Sequence, residues 1–353
     1  MLQTLLVAGI VGLTAALPAP QNIEFAAVDA LPPPTRLGAP NAASVAFEIP
    51  TYTPSTVTVD ASAASKKRTL TARDACDARP LGQGIPNTYP DDAEDFVNNP
   101  QYSNLAVDSY VPQGYELVFQ NLNAATQQSG YLGFYTLNGY DTIACRQQCD
   151  ATATCTAFNT YIERDPVVEP GDGCSNPNST AVAKCALYGL PISADTATNS
   201  GQFQEDFQIV IAGSNGYVKN SPPPSCDAFT GPVALPAAIF VPDGTSYIGS
   251  QIFSGPFDPS QCASASTSHN TYWQSATPAN GTYDPVNFFV AYVVSKNNNP
   301  LGTYCTLYSQ TWNSSYATNL GQFDGEGNYY DVSQAYAYTL AVWDNGVPSG
   351  QDD

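Results

Sequence analysis

Alternating apolar and polar positions, rich in aromatic and β-branched residues, predict strands in both halves of this chain. The predicted strands are Tyr115–Phe119, Thr156–Ile162, Lys184–Tyr188, Phe207–Ala212, Phe288–Val294, Tyr304–Tyr308 and Ala335–Val342.

Two helices are predicted, at Thr142–Asp150 and Ser260–His269. Asp141 and Asp258 stand where an N-cap acceptor belongs, and Pro259 takes the first helical position. The second helix is rich in Ser and Thr, so we expect it to be shorter than the first or frayed. A further short helix is predicted near Asp91–Val97, where the acids suit the positive end of the helix dipole.

The same landmarks occur twice, at an offset of roughly 120 residues, which predicts a tandem duplication. Cys185-Ala-Leu-Tyr188 matches Cys305-Thr-Leu-Tyr308, and Asn199-Ser-Gly-Gln-Phe203 matches Asn319-Leu-Gly-Gln-Phe323. Upstream, Tyr140-Asp-x3-Cys145 matches Phe257-Asp-x3-Cys262, and Tyr131-Leu-Gly133 matches Tyr247-Ile-Gly249. All four landmarks keep their order in both copies.

The duplication predicts a disulfide pattern that cysteine count alone would leave open. Copy two keeps partners for Cys145 and Cys185, which are Cys262 and Cys305, but has Ser266 and Val286 in place of Cys149 and Cys155. Half-cystines retained together or lost together indicate the bonds Cys145–Cys185, Cys149–Cys155 and Cys262–Cys305. Of the remaining Cys76, Cys174 and Cys226, one must be unpaired or linked to another chain, and we favour Cys76–Cys226.

The spacing Cys145-x3-Cys149-x5-Cys155-x2-Phe158, followed by Cys185-x-Leu-Tyr188, resembles the PAN/apple domain family. The tandem layout resembles secreted apple-type proteins of filamentous fungi. The resemblance implies an α+β fold of two PAN/apple-like domains, each a curved antiparallel sheet packed on one helix and stapled by the same disulfides. Family members bind proteins or carbohydrates through variable loops and sheet faces, so the motif carries over no ligand residue.

The chain is strongly acidic, with 11 Lys and Arg against 31 Asp and Glu and a net charge of -20. This balance disfavours nucleic acid and anionic membranes, which are bound by clustered Lys and Arg. Nine cysteines and the three sequons at Asn178, Asn280 and Asn313 favour a secreted protein of the extracellular space or cell wall. Leu5 to Ala16 suit a signal-peptide core, and no membrane insertion is expected.

Lys66-Lys67-Arg68 is the tightest basic cluster, and it predicts a processing site after Arg68 rather than a solvated charge run in a linker. The predicted organisation is a signal peptide (1–17), a disordered pro-region (18–68), an extension packed on the first domain (69–114), domain one (115–220), a Pro-rich linker (221–225), a degenerate domain two (226–344) and a tail (345–353). The pro-region carries as many acids as bases, so the whole net charge stays with the mature chain.

Candidate chemistry is sparse, and neither a cofactor nor enzymatic activity is expected. His269, the only histidine, lies in a Ser/Thr-rich segment without a catalytic motif. Acids after the Gly-Gln-Phe elements, Glu205-Asp206 and Asp324 with Glu326, are interpreted as turn or surface residues. Calcium binding or glycosidase catalysis by these acids stays open as a less favoured alternative.

Aromatic residues are the better functional candidates, because sugar sites often combine aromatic platforms with few charges. Tyr272, Trp273 and Trp312 lie in polar, loop-like contexts and are the predicted ligand-binding residues, although any one of them could instead fill a core. We therefore expect a non-enzymatic module that binds a glycan or an extracellular protein. The alternatives are a coat component linked through the odd cysteine and a glycan-active hydrolase.

Overall fold

The computed structural model describes residues 22–42, 47–48, 52, 74–241, 244 and 246–348. The helices of these residues are α1 (Phe25–Asp29), α2 (Ala93–Val97), α3 (Pro100–Val107), α4 (Thr142–Ala151) and α5 (Pro259–Ala276). The strands up to Lys219 are β1 (Phe47–Glu48), β2 (Tyr115–Leu122), β3 (Ala125–Thr126), β4 (Tyr131–Leu137), β5 (Ala157–Pro166), β6 (Ser179–Tyr188), β7 (Ala197–Asn199), β8 (Gly201–Gln204) and β9 (Phe207–Lys219). Those that follow are β10 (Phe229–Leu235), β11 (Ala238–Ile239), β12 (Tyr247–Ser254), β13 (Phe288–Lys296), β14 (Asn299–Tyr308), β15 (Ala317–Asn319), β16 (Gly321–Phe323) and β17 (Tyr329–Leu340).

The strands form two antiparallel sheets with the same strand order, and we call them the first and second sheet. The order is β4-β6-β5-β9-β2 in the first and β12-β14-β13-β17-β10 in the second, with β8 and β16 paired to β9 and β17. Two small ribbons, β3-β7 and β11-β15, also correspond. Each strand of one sheet therefore has a counterpart in the other, as expected of a duplicated unit, while β1 extends the first sheet alone.

The two Leu-Tyr pairs end β6 and β14. Side chains along these strands alternate between the two faces of the sheet, because successive residues of a strand point to opposite sides. Cys185 and Leu187 lie in the core on the helix side of the first sheet, and Cys305 and Leu307 in that of the second. Tyr188 and Tyr308 lie in the clusters on the opposite side. The hydroxyl of Tyr188 donates to the carbonyl of Thr126, and that of Tyr308 donates to Ile239, at 2.5 and 3.2 Å.

Disulfides tie each helix to the strand it crosses. Cys145–Cys185 links α4 to β6, and Cys262–Cys305 links α5 to β14, with all four cysteines fully buried. Cys149–Cys155 joins the end of α4 to the entry of β5. These three bonds have the pairing that the duplication predicts.

The predicted bond Cys76–Cys226 is wrong, because Cys76 pairs with Cys174 and Cys226 is free. The reason is a local pairing of backbones: Ala78 forms an antiparallel bridge with Val168, and the amide of Arg79 donates to Val167. This pairing places Cys76 at the turn that follows β5. Cys226 instead lies in the core beneath the second sheet.

Helix α5 is longer than α4, 18 residues against 10, so the expectation of a shorter or frayed second helix is also wrong. Its amino end is capped by Asp258, which accepts from the amide of Ser260. Cys262, Ala265 and Ser266 are buried against the sheet. Tertiary packing therefore outweighs the weak helix propensity of Ser and Thr.

Asn270 links the helix to the next strand in the second repeat, as the short bridge Cys149–Cys155 does in the first. Val286, which replaces Cys155, is fully buried. Its amide donates to the side-chain oxygen of Asn270 at 2.7 Å, and its carbonyl accepts from the side-chain nitrogen at 3.1 Å. Two hydrogen bonds thus hold the helix to the entry of β13, where the first repeat uses a covalent bond.

The amino-terminal segment 22–42 differs from the expected disorder, because it packs against both sheets. Ile23 and Val28 are buried in the second sheet's cluster, and Ala39 in that of the first. The predicted signal peptide, the processing site at Arg68 and most of the rest of the predicted pro-region lie outside the described residues.

Replacing Asn270 by Ala is expected to lower the free energy of unfolding by about 1–3 kcal/mol, because two backbone groups of a buried residue lose their partner. Gln274→Ala, an exposed change on the same helix, is the control and should have little effect. Urea unfolding followed by circular dichroism measures both variants. Equal stability of the Asn270→Ala variant and the parent would contradict this role.

Candidate functional site

A concave cavity of about 570 Å³ lies at the carboxyl end of α5. Its walls come from the last turns of the helix, from the loop that follows it, and from the sheet edge at β12 and the end of β14. The lining residues are Tyr247, Ile248, His269, Trp273, Ala276, Thr277, Pro278, Gly281, Thr282, Tyr283, Asp284 and Ser309. The cavity is thus built from aromatic rings and small polar groups.

Trp273 and His269 stand one helical turn apart, so they point to the same side of α5. Their ring centroids are 6.3 Å apart. Trp273 is 44% exposed, so much of its surface stays available to a ligand. A ring nitrogen of His269, Nε2, lies 3.0 Å from the carbonyl oxygen of Asp284, which fixes the imidazole against the loop.

Tyr283 anchors the opposite wall of the cavity. Its hydroxyl donates to the carboxylate of Asp344, with distances of 2.8 and 3.1 Å to the two oxygens. Burial, together with the negative charge of Asp344, raises the pKa of Tyr283 to about 12. The hydroxyl therefore stays protonated at neutral pH, and the loop is held to the end of the chain near Gly346, whose carbonyl accepts from the amide of Tyr283.

The residues that line the cavity all belong to the second repeat. Phe158 and Phe289 pair with the Leu of the Leu-Tyr strand in their own repeats, and Cys262 to Phe289 spans 27 positions whereas Cys145 to Phe158 spans 13. The additional residues form the last turns of α5 and the loop that lines the cavity. In the first repeat, the bridge Cys149–Cys155 closes the same region directly.

The structure brings only one of the three predicted ligand residues into the cavity. Trp273 lines it, whereas Tyr272 is 61% exposed beside it, with a T-shaped ring contact to Trp273 at 5.2 Å. Trp312 lies elsewhere: its indole nitrogen donates to Ser246 at 2.9 Å and its ring packs on Tyr316. Trp312 is therefore used in packing.

His269, Tyr247 and Tyr283 were not predicted as cavity residues. The available signal was the longer helix-to-strand spacing in the second copy, which marks an insertion next to Trp273. Loops that differ between otherwise equivalent units are where binding sites concentrate.

The three sequon asparagines are exposed, as acceptance of a glycan requires. Asn280 precedes Gly281 of the cavity rim. Asn313 caps a short turn, accepting from the amide of Ser315. Asn178 directly precedes β6.

The acids that follow the Gly-Gln-Phe elements are turn residues. Asp324 accepts from the amides of Glu326 and Asn328, both at 2.8 Å. The side-chain hydrogen bond from Asn328 holds the pKa of Asp324 below its ordinary value. Glu205 lies in a tight turn with a φ of 50°. Among the described residues, no group of three His, Cys, Asp or Glu side chains is arranged to hold a metal ion.

Each Lys and Arg of the described residues is paired with a carboxylate. The pairs are Arg36–Glu48, Arg79–Glu169, Arg146–Asp150, Arg164–Asp91, Lys184–Glu163, Lys219–Asp150 and Lys296–Asp29. Polyanion binding requires basic side chains whose charge is available to phosphates. This part of the chain therefore presents no basic patch for nucleic acid.

Cys226 is expected to resist thiol reagents in the folded protein. It is 6% exposed, and burial, with a smaller contribution from the charge of Asp258, raises the pKa of its thiol to about 12. The reactive thiolate is therefore scarce at neutral pH. Titration with a chromogenic disulfide at pH 8 should find no fast thiol in the native protein and one per chain after unfolding. A fast native reaction, or none after unfolding, would contradict this account.

No helix of the described residues is long and apolar enough to cross a membrane. Comparison with known proteins finds no match to any family model, to any curated protein or to any solved structure. Inference of function therefore depends on the residues and the geometry given above.

Proposed function

We propose that this protein is a secreted, non-enzymatic carbohydrate-binding protein built from two PAN/apple-like repeats. The observation that carries the proposal is the aromatic cavity at the end of α5, which residues of the second repeat line. Its ligand is a glycan of the cell wall or of a glycoprotein.

The chemistry of the cavity suits a neutral sugar. Trp273 offers an exposed indole, Tyr247 and the largely buried Tyr283 line the wall, and His269, Thr282 and Ser309 add polar groups. Sugars present apolar C–H faces and many hydroxyls, which match rings flanked by hydrogen-bonding groups. Asp284 is the only acid in the lining, so a polyanionic or strongly cationic ligand is not favoured.

The resemblance to the PAN/apple family supports a binding role. A helix tied by disulfide to an antiparallel sheet is the arrangement that the resemblance implies, and both repeats have it. In that family, loops at the edge of the scaffold vary between members. The insertion after α5 is such a loop, and its length sets the second repeat apart.

Two alternative functions are less well supported. A coat component linked through the odd cysteine needs an accessible thiol, and Cys226 is buried. A hydrolase needs a pair of carboxyl groups free for chemistry, whereas Asp324 accepts hydrogen bonds that close its own turn. Binding of an extracellular protein is the second candidate, and the way in which the segment 22–42 packs on both sheets bears on it.

Secretion is supported by four disulfides and by the exposed sequons. The proposed maturation is cleavage after Arg68. Amino-terminal sequencing of the secreted protein should then read from Thr69. A start at Leu17 or Pro18 would contradict the processing step.

Replacing Trp273 by Ala is expected to weaken glycan binding by about tenfold or more, about 1.4 kcal/mol for each factor of ten. The indole provides the largest apolar face in the cavity. A glycan array followed by isothermal titration with the cell-wall polysaccharides that it identifies measures the effect.

Trp343→Ala is the matched control, because Trp343 is 51% exposed and does not line the cavity. Its affinity should stay within about twofold of the parent protein. Absence of binding to every glycan on the array, or equal losses in the two variants, would overturn the carbohydrate proposal.

A further inference from the structure

The segment 22–42, which we call the strap, runs over the same face of both sheets. This is the face opposite the helices, where the clusters around Tyr188 and Tyr308 lie. Chain segments before Cys76 contain no cysteine, so no disulfide ties the strap to either sheet. Every bond that holds it is noncovalent, apart from its continuity with the following chain.

On the second sheet, the strap is bound through its backbone and two aliphatic side chains. Ile23 and Val28, each 2% exposed, enter a cluster of buried tyrosines. The amide of Glu24 donates to the hydroxyl of Tyr304 at 2.9 Å, and the amide of Ile23 donates to Gln322 at 3.1 Å.

An acidic side chain adds specificity at the end of α1. Asp29 accepts from the ammonium of Lys296 at 2.8 Å and from the hydroxyl of Tyr330 at 2.9 Å. The ring of Phe25 lies 4.5 Å from that of Tyr330, centroid to centroid. The second sheet thus offers a cation, a phenol and an apolar slot to one short stretch of peptide.

On the first sheet, the strap is again bound mainly through its backbone. The amide of Ala42 donates to the buried carboxylate of Glu163 at 2.6 Å, and its carbonyl accepts from Arg79 at 3.0 Å. The carbonyl of Leu37 accepts from the amide of Gln128 at 2.7 Å. The ammonium of Lys184 lies 3.4 Å from the carbonyl oxygen of Pro40.

Equivalent positions of the two repeats make these contacts. Lys184 and Tyr304 each precede the strand cysteine of their repeat, and each binds the strap backbone. The Asn-x-Gly-Gln-Phe elements also contact it: the side chains of Asn199 and Asn41 exchange hydrogen bonds at 2.8 and 3.2 Å, and Gln322 binds Asn22 and Ile23. One pair of equivalent residues and one shared element, through different residues of it, thus contact the strap in both repeats. This indicates a binding face that belongs to the repeat itself.

The strap bridges the two faces by Pro32-Pro33-Pro34, which lines a second cavity of about 540 Å³ with Arg36 and Lys296. Three successive prolines favour an extended conformation that loses little entropy on binding. The strap as a whole has five alanines and four prolines in 21 residues. Its contacts therefore describe the chemistry of an Ala/Pro-rich peptide in which a short helix carries the acidic anchor and a Pro-rich part follows.

We propose that the faces of the two sheets opposite α4 and α5 form a peptide-binding site, which the strap occupies until cleavage at Lys66-Lys67-Arg68 opens it to an Ala/Pro-rich segment of a partner protein. The basic cluster lies between the strap and Asp74 in sequence, so a cut there converts the strap from a tethered occupant to a free ligand. A tether of this kind gives an effective concentration on the order of millimolar, which dilution after cleavage removes. No strap residue lines the cavity at the end of α5, so this site is separate from the proposed glycan site.

The test starts from the intact, purified chain, in which the basic cluster is replaced by the recognition sequence of a specific protease, so that folding precedes the cut. A fluorescent synthetic peptide of residues 22–42 is added before and after cleavage, and binding is measured by anisotropy. We expect saturable binding with one peptide per chain after cleavage, and at least about tenfold weaker binding before it, because the tethered strap competes.

Two peptide variants provide matched controls. Val28→Asp places a charge in the apolar slot and should weaken binding about tenfold or more. Ala27→Asp makes the same change in charge at an exposed neighbour and should stay within about twofold. On the protein side, Tyr304→Phe removes the acceptor for Glu24 and should weaken binding, whereas Trp273→Ala should not.

Three results would overturn the proposal. The cleaved protein could lose its circular dichroism signal on removal of the strap, which would make the strap a part of the core. It could stay folded and fail to bind or exchange the labelled peptide within a day. Equal effects of Val28→Asp and Ala27→Asp would show that binding does not use the site described.

Discussion

The tie between each helix and the strand it crosses is the constraint on which the rest of this structure depends. Cys145–Cys185 and Cys262–Cys305 fix one helix on one face of each sheet. Because side chains alternate along a strand, the residues next to these cysteines are committed to the other face. Lys184 and Tyr304 therefore lie on the faces opposite α4 and α5, where the amino-terminal segment is bound.

The two faces of each sheet therefore have different roles. The helix side is closed by packing, and the two repeats differ where the helix leads into the next strand. The first repeat closes that junction with Cys149–Cys155, whereas the second uses Asn270 and a longer loop. The longer loop leaves room for an aromatic cavity without loss of the hold on β13. The opposite face is covered by the strap, which no disulfide bond holds. Exchange of the strap for another peptide there would break no disulfide.

Much of the scaffold was predictable because the sequence contains two copies of it. The predicted strands followed from alternation and from aromatic and β-branched content, whereas three bridges followed from the comparison of the two copies. The bond Cys76–Cys174 was not predictable, since it depends on a backbone pairing of Ala78 with Val168 that has no counterpart in the second copy. The length of α5 was misjudged from Ser and Thr content, because burial of Cys262 and Ala265 contributes more than propensity.

The strap escaped prediction for a different reason: few of its side chains are buried, and its backbone is held in part by distant side chains such as Glu163 and Tyr304. The amino-acid composition of the strap does not reveal such contacts. The central claim, one disulfide-tied unit present twice, is tested most directly by mass spectrometry of non-reduced peptides from the purified protein. The account predicts the linked pairs Cys145–Cys185, Cys262–Cys305, Cys149–Cys155 and Cys76–Cys174, with Cys226 as a thiol. A bond from Cys226 to any partner, or from either helix cysteine to a strand of the other repeat, would contradict it.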